Sequence, residues 1–206
     1  MSLSPRGFYI NLDKRIDRQI HFEDTKQKYP FFSNIERMSA FEHTNGGYGC
    51  GMSHIMALKQ CLTLNDEVFL ICEDDLLIIK EDAFKNMIDN VRYEDNWDVL
   101  TFTPRGDIMP GQDIRDNFIR VNNNQTATAY LIKKHMVPIL ISNLEEALVG
   151  LSQGGDPNIY CIDQYWKQLQ NVYKFYYFID IFAGQLVGYS DIEKRNINYN
   201  DRFVKQ

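Results

Sequence analysis

The stretch Glu67–Asp75, E-V-F-L-I-C-E-D-D, constrains what this chain can fold into more than any other. Val68–Cys72 is a short continuous apolar run, the pattern of a strand buried on both faces of a sheet. It stops at three consecutive acids, Glu73, Asp74 and Asp75. Carboxylates about 4 Å apart repel by roughly 1 kcal/mol in water and about 4 kcal/mol at an effective dielectric of 20. A strand that delivers three of them to the rim of a core therefore calls for a positive partner. A hard divalent cation with oxygen ligands meets that need, and the carboxyl end of a strand in an open α/β sheet is where ligands collect. A solvated turn or a helix N-cap accounts for the same cluster, so the rest of the chain has to decide.

Size and charge narrow the choice. The 206 residues suit one domain, and an apolar fraction of 44% is enough to bury a full core. A net charge of −6 excludes a sequence-independent nucleic-acid binder, which needs a basic field to displace counterions. Lys14, Arg15 and Arg18 still offer local positive charge for one phosphate-bearing ligand, or are plain surface charge. The aromatic content of 13% fits either stacking surfaces or core packing. Cys50, Cys61, Cys72 and Cys161 form no C-x-x-C pair and no zinc-type spacing, which reads as reduced, structural thiols. No apolar stretch approaches a membrane span and M-S-L-S-P-R-G lacks a signal-peptide core, so a cytoplasmic chain, or a domain of a longer or viral protein, is expected.

The chain reads as alternating strands and helices. G-F-Y-I-N-L at 7–12 is a strand, followed by a helix with Asp13 as cap and Ile16 and Ile20 on its apolar face. Residues 35–40 form a second strand. The glycine-rich F-E-H-T-N-G-G-Y-G-C-G is a connection without the Gly-Lys-Ser/Thr of a P-loop, and Ser53 caps the next helix. His54 in its first turn is more often a hydrogen-bonding residue than a ligand. Phe84, Ile88 and Val91 mark a helix, Val99–Thr103 a buried strand, and P-R-G-D-I-M-P-G a loop. T-A-T-A-Y-L-I follows as a strand whose Thr126 and Thr128 line a pocket or simply favour extended backbone. Residues 138–148 form a helix, and D-Q-Y-W-K-Q-L-Q-N-V another, with Asp163 in or near its first turn and a helix cap as its plain reading. Y-K-F-Y-Y-F-I-D is a strand and 196–206 a loose tail. One α/β domain over 1–206 is expected.

Six separated pieces together resemble glycosyltransferase family 25, which includes bacterial lipooligosaccharide galactosyltransferases and collagen galactosyltransferases. They are Y-I-N-L-D-K-R-I-D-R at 9–18, G-C-G-M-S-H at 49–54, C-E-D-D at 72–75, W-D-V-L at 97–100, A-Y-L-I at 129–132 and Q-L-V-G-Y-S-D-I at 185–192. The resemblance implies a GT-A fold, a Rossmann-like α/β domain with a mostly parallel central sheet flanked by helices, that binds a nucleotide sugar with Mn²⁺ or Mg²⁺. By resemblance, E-D-D is the D-x-D-type metal motif. Glu73 and Asp75, alternate residues of an extended chain, can converge on one cation, with Asp74 beside the cofactor. Asp191 becomes a further metal ligand.

Asn11, Leu12, Arg15 and Arg18 match the nucleotide pocket. The family's A-x-D-G appears here as A-F-E-H, so Glu42 stands for the ribose-binding acid and the glycine is missing. Ser53, His54, Gln185 and Ser190 complete the donor side. Asp163 is the candidate base for an inverting transfer and Asp156 the second choice.

The expected activity is a metal-dependent transfer of galactose or glucose from its UDP-sugar to a hydroxyl of a glycan or hydroxylysine-type peptide. The alternative is a catalytically degenerate GT-A-like module that binds nucleotide or glycan. A nucleotidyltransferase is a third possibility, but N-L-D-K-R is a poor match to the glycine-rich loop it needs after its first strand.

Overall fold

The computed structural model describes residues 4–91, 95–105, 114–115 and 117–199. Its central sheet is built from β1 (Arg6–Asn11), β2 (Ile35–Ser39), β3 (Val68–Glu73), β5 (Val99–Thr101), β6 (Ile114–Arg115), β7 (Phe118–Arg120), β8 (Ala129–Lys133) and β9 (Phe175–Phe178). The order across the sheet is β2-β1-β3-β8-β5-β9-β7-β6. β1 pairs in parallel with both β2 and β3, and β5 with β9. β8 lies antiparallel between β3 and β5, and β7 is antiparallel to β9 and β6. By direction the sheet is therefore mostly parallel, with β8 and β7 reversed. Phe69–Cys72 of β3 is fully buried, as its unbroken apolar run requires.

Helices cover both faces. On one side α2 (Gly46–Cys61) and α4 (Val137–Ser152) pack Ile55, Leu58, Leu140 and Leu144 against Ile71, Tyr130 and Ile132. On the other, α1 (Ile16–Lys28) and α3 (Glu81–Val91) contribute Phe22, Phe84 and Met87, which meet Tyr9, Leu70 and Leu131. The aromatic residues concentrate there: Tyr9 stacks on Phe22 at 4.2 Å, and Phe31, Phe32, Phe84, Phe102 and Phe182 make edge and stacked pairs. Core packing accounts for these rings. Two small ladders complete the fold, β4 (Leu76–Ile78) with β10 (Ala183–Gln185), and β11 (Gly188–Ser190) with β12 (Arg195–Ile197).

Several local expectations are corrected. α1 starts at Ile16 and has no side-chain cap, because Asp13 binds Arg37 and Ser39 of the neighbouring β2 region instead. Ile16 and Ile20 are 54% and 57% exposed; the buried positions of α1 are Phe22 and Thr25.

α2 begins at Gly46, capped by Asn45, whose side chain accepts from the Tyr48 amide, so the glycine-bearing half of the expected connection is helix and only 41–45 remains loop. Its glycines are accepted for closeness: a Cβ on Gly49 would lie 2.7 Å from the Phe41 carbonyl, and one on Gly51 would lie 2.6 Å from Leu148. Ser53 sits within that helix, its hydroxyl donating to the Gly49 carbonyl and accepting from the Phe41 amide. The single helix expected from 163 is two one-turn pieces, α6 (Ile162–Tyr165) and α7 (Lys167–Gln170), and a further turn, α5 (Pro157–Tyr160), forms in the segment before it. β12 occupies the start of the expected loose tail. Most of the loop at 104–111, and residues 200–206, fall outside the described residues.

Candidate active site

Parallel β1, β2 and β3 end at one edge of the sheet, at Asn11, Ser39 and Glu73. The reversed β8 starts at that same edge, where the Glu73 amide donates to the Thr128 carbonyl at 2.6 Å. Beyond Glu73 the chain turns, and Asp74 and Asp75 occupy the turn that leads into β4. Convergence of these acids thus arises from a turn and not from strand alternation alone.

A guanidinium meets them first. Arg18 of α1 reaches Asp74 at 2.9 Å and Asp75 at 3.2 Å, and donates to the Tyr189 carbonyl at 3.0 Å. Asn11, only 1% exposed, donates to Asp74 at 2.7 Å and accepts from Arg37 at 2.9 Å. Gln185 of β10 lies 3.5 Å from both Asp75 oxygens. Arg15 holds Asp191 at 2.7 Å and Asp17 at 2.8 Å, and Lys14 pairs with Glu42 at 2.5 Å and with Asp191 at 3.5 Å. Arg15 and Arg18 are therefore mostly buried, paired groups and not plain surface charge. Leu12 closes the turn before α1, its carbonyl accepting from the Arg15 amide at 2.8 Å. Glu42 is exposed. Ser190 caps its turn by accepting from the Glu193 amide.

One cation does not balance this edge. Burial and the charge of Glu73 push the Asp75 carboxyl up to about 7, against the pull of Arg18. Burial raises Asp74 as well. Burial also acts on Glu73, but a hydrogen bond and charge from His54, with Arg18, outweigh it and hold that carboxyl low. Glu73 Oε1 lies 3.4 Å from His54 Nε2 and 3.6 Å from Cys50 Sγ, while the Tyr130 hydroxyl is 3.1 Å from His54 Nδ1. His54 is thus a buried residue under Glu73.

Asp163, in the first turn of α6, is pushed up to about 7 by burial and then by Glu73, with Arg105 and Lys167 opposing. Its chain neighbour Ile162 packs against Gly51 of α2, one residue from Cys50, which brings the start of α6 to the side of the sheet edge where Glu73 ends. Asp156 is the residue that caps a helix, accepting from the Asn158 amide at 2.9 Å on the exposed start of α5.

The expected trio Glu73, Asp75 and Asp191 is not drawn together into one tight group: Asp191 is engaged by Arg15 and Lys14. Among the described residues, the group whose ligand atoms all lie within 4.8 Å is Cys50, His54 and Glu73. Cys50, Tyr130, Arg105 and Lys167 were not read from the sequence as site residues. The i, i+4 spacing of Cys50 and His54 was a usable signal, hidden by starting the helix at Ser53.

The fold is of the GT-A-like, Rossmann-type class. A solved structure described as a glycosyltransferase involved in the glycosylation of the major capsid of PBCV-1 superposes with a TM-score of 0.56 at 12% identity, covering 91% of this chain and 94% of that one. Mannose-1-phosphate geranyltransferase from Thermus thermophilus aligns with a TM-score of 0.40 at 10% identity, over 85% of this chain and 59% of that one. No curated protein matches the chain. The model of glycosyltransferase family 25 (LPS biosynthesis protein) matches residues 5–149, and the chain belongs to that family. Glycosyl transfer is its reaction class. No helix among the described residues is long and apolar enough to cross a membrane.

Proposed function

We propose that this protein is a metal-dependent, inverting hexosyltransferase that moves galactose or glucose from a UDP-sugar to a hydroxyl of a glycan or hydroxylysine-type peptide. The observation that carries the reading is the crowding of carboxylates at the sheet edge, where Asp74 and Asp75 share one guanidinium beside Glu73 and Asp75 is pushed up to about 7. Carboxylate oxygens suit a hard cation such as Mn²⁺ or Mg²⁺. Asp75 and Glu73 would hold it, with Asp191 joining once released from Arg15. When bound, the metal supplies positive charge to the departing diphosphate.

The remaining roles belong to the chain's own side chains. Arg15, Arg18 and Lys14 line the edge at the start of α1 and bind the donor's phosphates. Asn11 and Gln185 orient Asp74 and Asp75. Leu12 and Glu42 flank the nucleoside, Ser53 and His54 brace the floor through Phe41 and Glu73, and Ser190 sets the turn that presents Asp191. Asp163 takes the proton from the attacking acceptor hydroxyl, a task suited by a carboxyl titrating near neutrality. A cytoplasmic setting fits the four free thiols.

Calorimetry of UDP with and without Mn²⁺, followed by UDP release from a panel of UDP-sugars, tests the reading. Metal-dependent UDP binding that disappears in Asp75→Ala is expected. Undiminished binding in that variant refutes the metal assignment, and absence of any UDP binding or release in the wild type refutes the function.

A further inference from the structure

We propose that Cys50, His54 and Glu73 form a binding site for a borderline divalent cation of the zinc class, which shares the Glu73 carboxylate with the acid turn but differs from it in its thiolate and imidazole ligands. Their ligand atoms all lie within 4.8 Å of one another. The separations of 3.4 Å from His54 Nε2 to Glu73 Oε1 and 3.6 Å from Cys50 Sγ to the same oxygen have the size of tetrahedral edges. A four-coordinate zinc with bonds of about 2.0–2.3 Å spaces its ligands roughly 3.3–3.6 Å apart.

Secondary structure builds this arrangement. Cys50 and His54 are four residues apart on α2 and share one helix face, while Glu73 is brought beneath them by the end of β3. The His54 ring is fixed in place: it is 1% exposed, and its Nδ1 meets the Tyr130 hydroxyl at 3.1 Å. When a cation displaces the Nε2 proton that faces Glu73, Nδ1–H donating to that hydroxyl keeps the ring in place and the Nε2 lone pair points at the shared space, the orienting contact that metal-binding imidazoles ordinarily have. The Glu73 side chain is 24% exposed, which leaves an entry path for the ion. Thiolate, imidazole and carboxylate together select zinc or cobalt over manganese and magnesium. A cation at this point ties the middle of α2 to the end of β3.

The test uses the full, metal-stripped chain and Co²⁺ as a spectroscopic probe. One equivalent of Co²⁺ is expected to give the intense visible bands of four-coordinate cobalt and a near-ultraviolet thiolate charge-transfer band. Cys50→Ser, with Cys50→Ala as its backup, should lose the charge-transfer band, and His54→Gln should weaken binding at least tenfold. Cys61→Ser should leave both signals intact. Zn²⁺ should displace the cobalt and excess Mn²⁺ should not.

A measurement free of variants accompanies this: Zn²⁺ should slow alkylation of Cys50 at least tenfold in the wild type, read residue by residue by mass spectrometry. Absence of a thiolate band in the wild type, a band that persists without Cys50, or Cys50 alkylation indifferent to Zn²⁺ overturns the proposal. No nucleotide sugar is present and no turnover is read, so the result stands apart from that of the glycosyl-transfer reading.

Discussion

Asp163 and Arg18 carry opposite demands at the same edge. If Asp163 is the base, its proton must be gone before the acceptor attacks. The rate should then rise with pH and level off above about 7, the value to which burial and Glu73 push this carboxyl. Asp163→Asn should lower turnover by about 10²–10⁴-fold while leaving UDP affinity unchanged; full activity in a release assay would return Asp163 to a structural part. Removal of the guanidinium in Arg18→Met leaves Asp74 and Asp75 buried around no cation. A loss of about 3 kcal/mol is expected in denaturant melts, partly recovered by adding Mn²⁺. The acids themselves were legible, because an apolar strand ending in E-D-D is a local pattern. Which cation meets them was not: Arg18 lies 56 residues before Asp74, and only packing of α1 along β1 brings the two together.

Elements were read well where burial alone shapes them and poorly where contacts decide. β3 and α3 stand where their apolar patterns put them. α2 was read as starting at Ser53 and not at Gly46 because four glycines look like loop, yet neighbours at Phe41 and Leu148 leave no space for side chains at Gly49 and Gly51. α1 was assigned the wrong face, since Ile16 and Ile20 outrank Thr25 in apolarity but point outward. Gly7 shows the same closeness within a strand. A Cβ there would lie 1.8 Å from the Leu70 carbonyl across the β1–β3 ladder. Gly7→Ala should cost more than about 3 kcal/mol, read as a lowered chemical-denaturation midpoint, and exceed the effect of Gly188→Ala, whose Cβ meets nothing within 4 Å.

At the scale of the whole molecule, the buried acids make neutral pH a stress. Asp75 and Asp163 titrate at about 7 in the fold against an ordinary 3.8, so between those values the folded state holds more protons than the unfolded chain. Stability must fall as pH rises through that window. The metal-free protein should melt at a higher temperature at pH 5.5 than at pH 8, and Mn²⁺ with UDP should raise the melting temperature more at pH 8; equal melting at both pH values would contradict the burial of these carboxyls. The family match ends at residue 149, yet Asp163, Gln185 and Asp191 all return to the edge that the matched part builds. That return was legible only as motif order.

The reversed β8 has a consequence for synthesis. β3 and β5 are complete once residue 101 has been made, but neither can pair with the other, because the strand that separates them begins at Ala129. A growing chain therefore holds two bare apolar edges until roughly thirty further residues emerge, the interval in which it is most open to chaperones and to self-association.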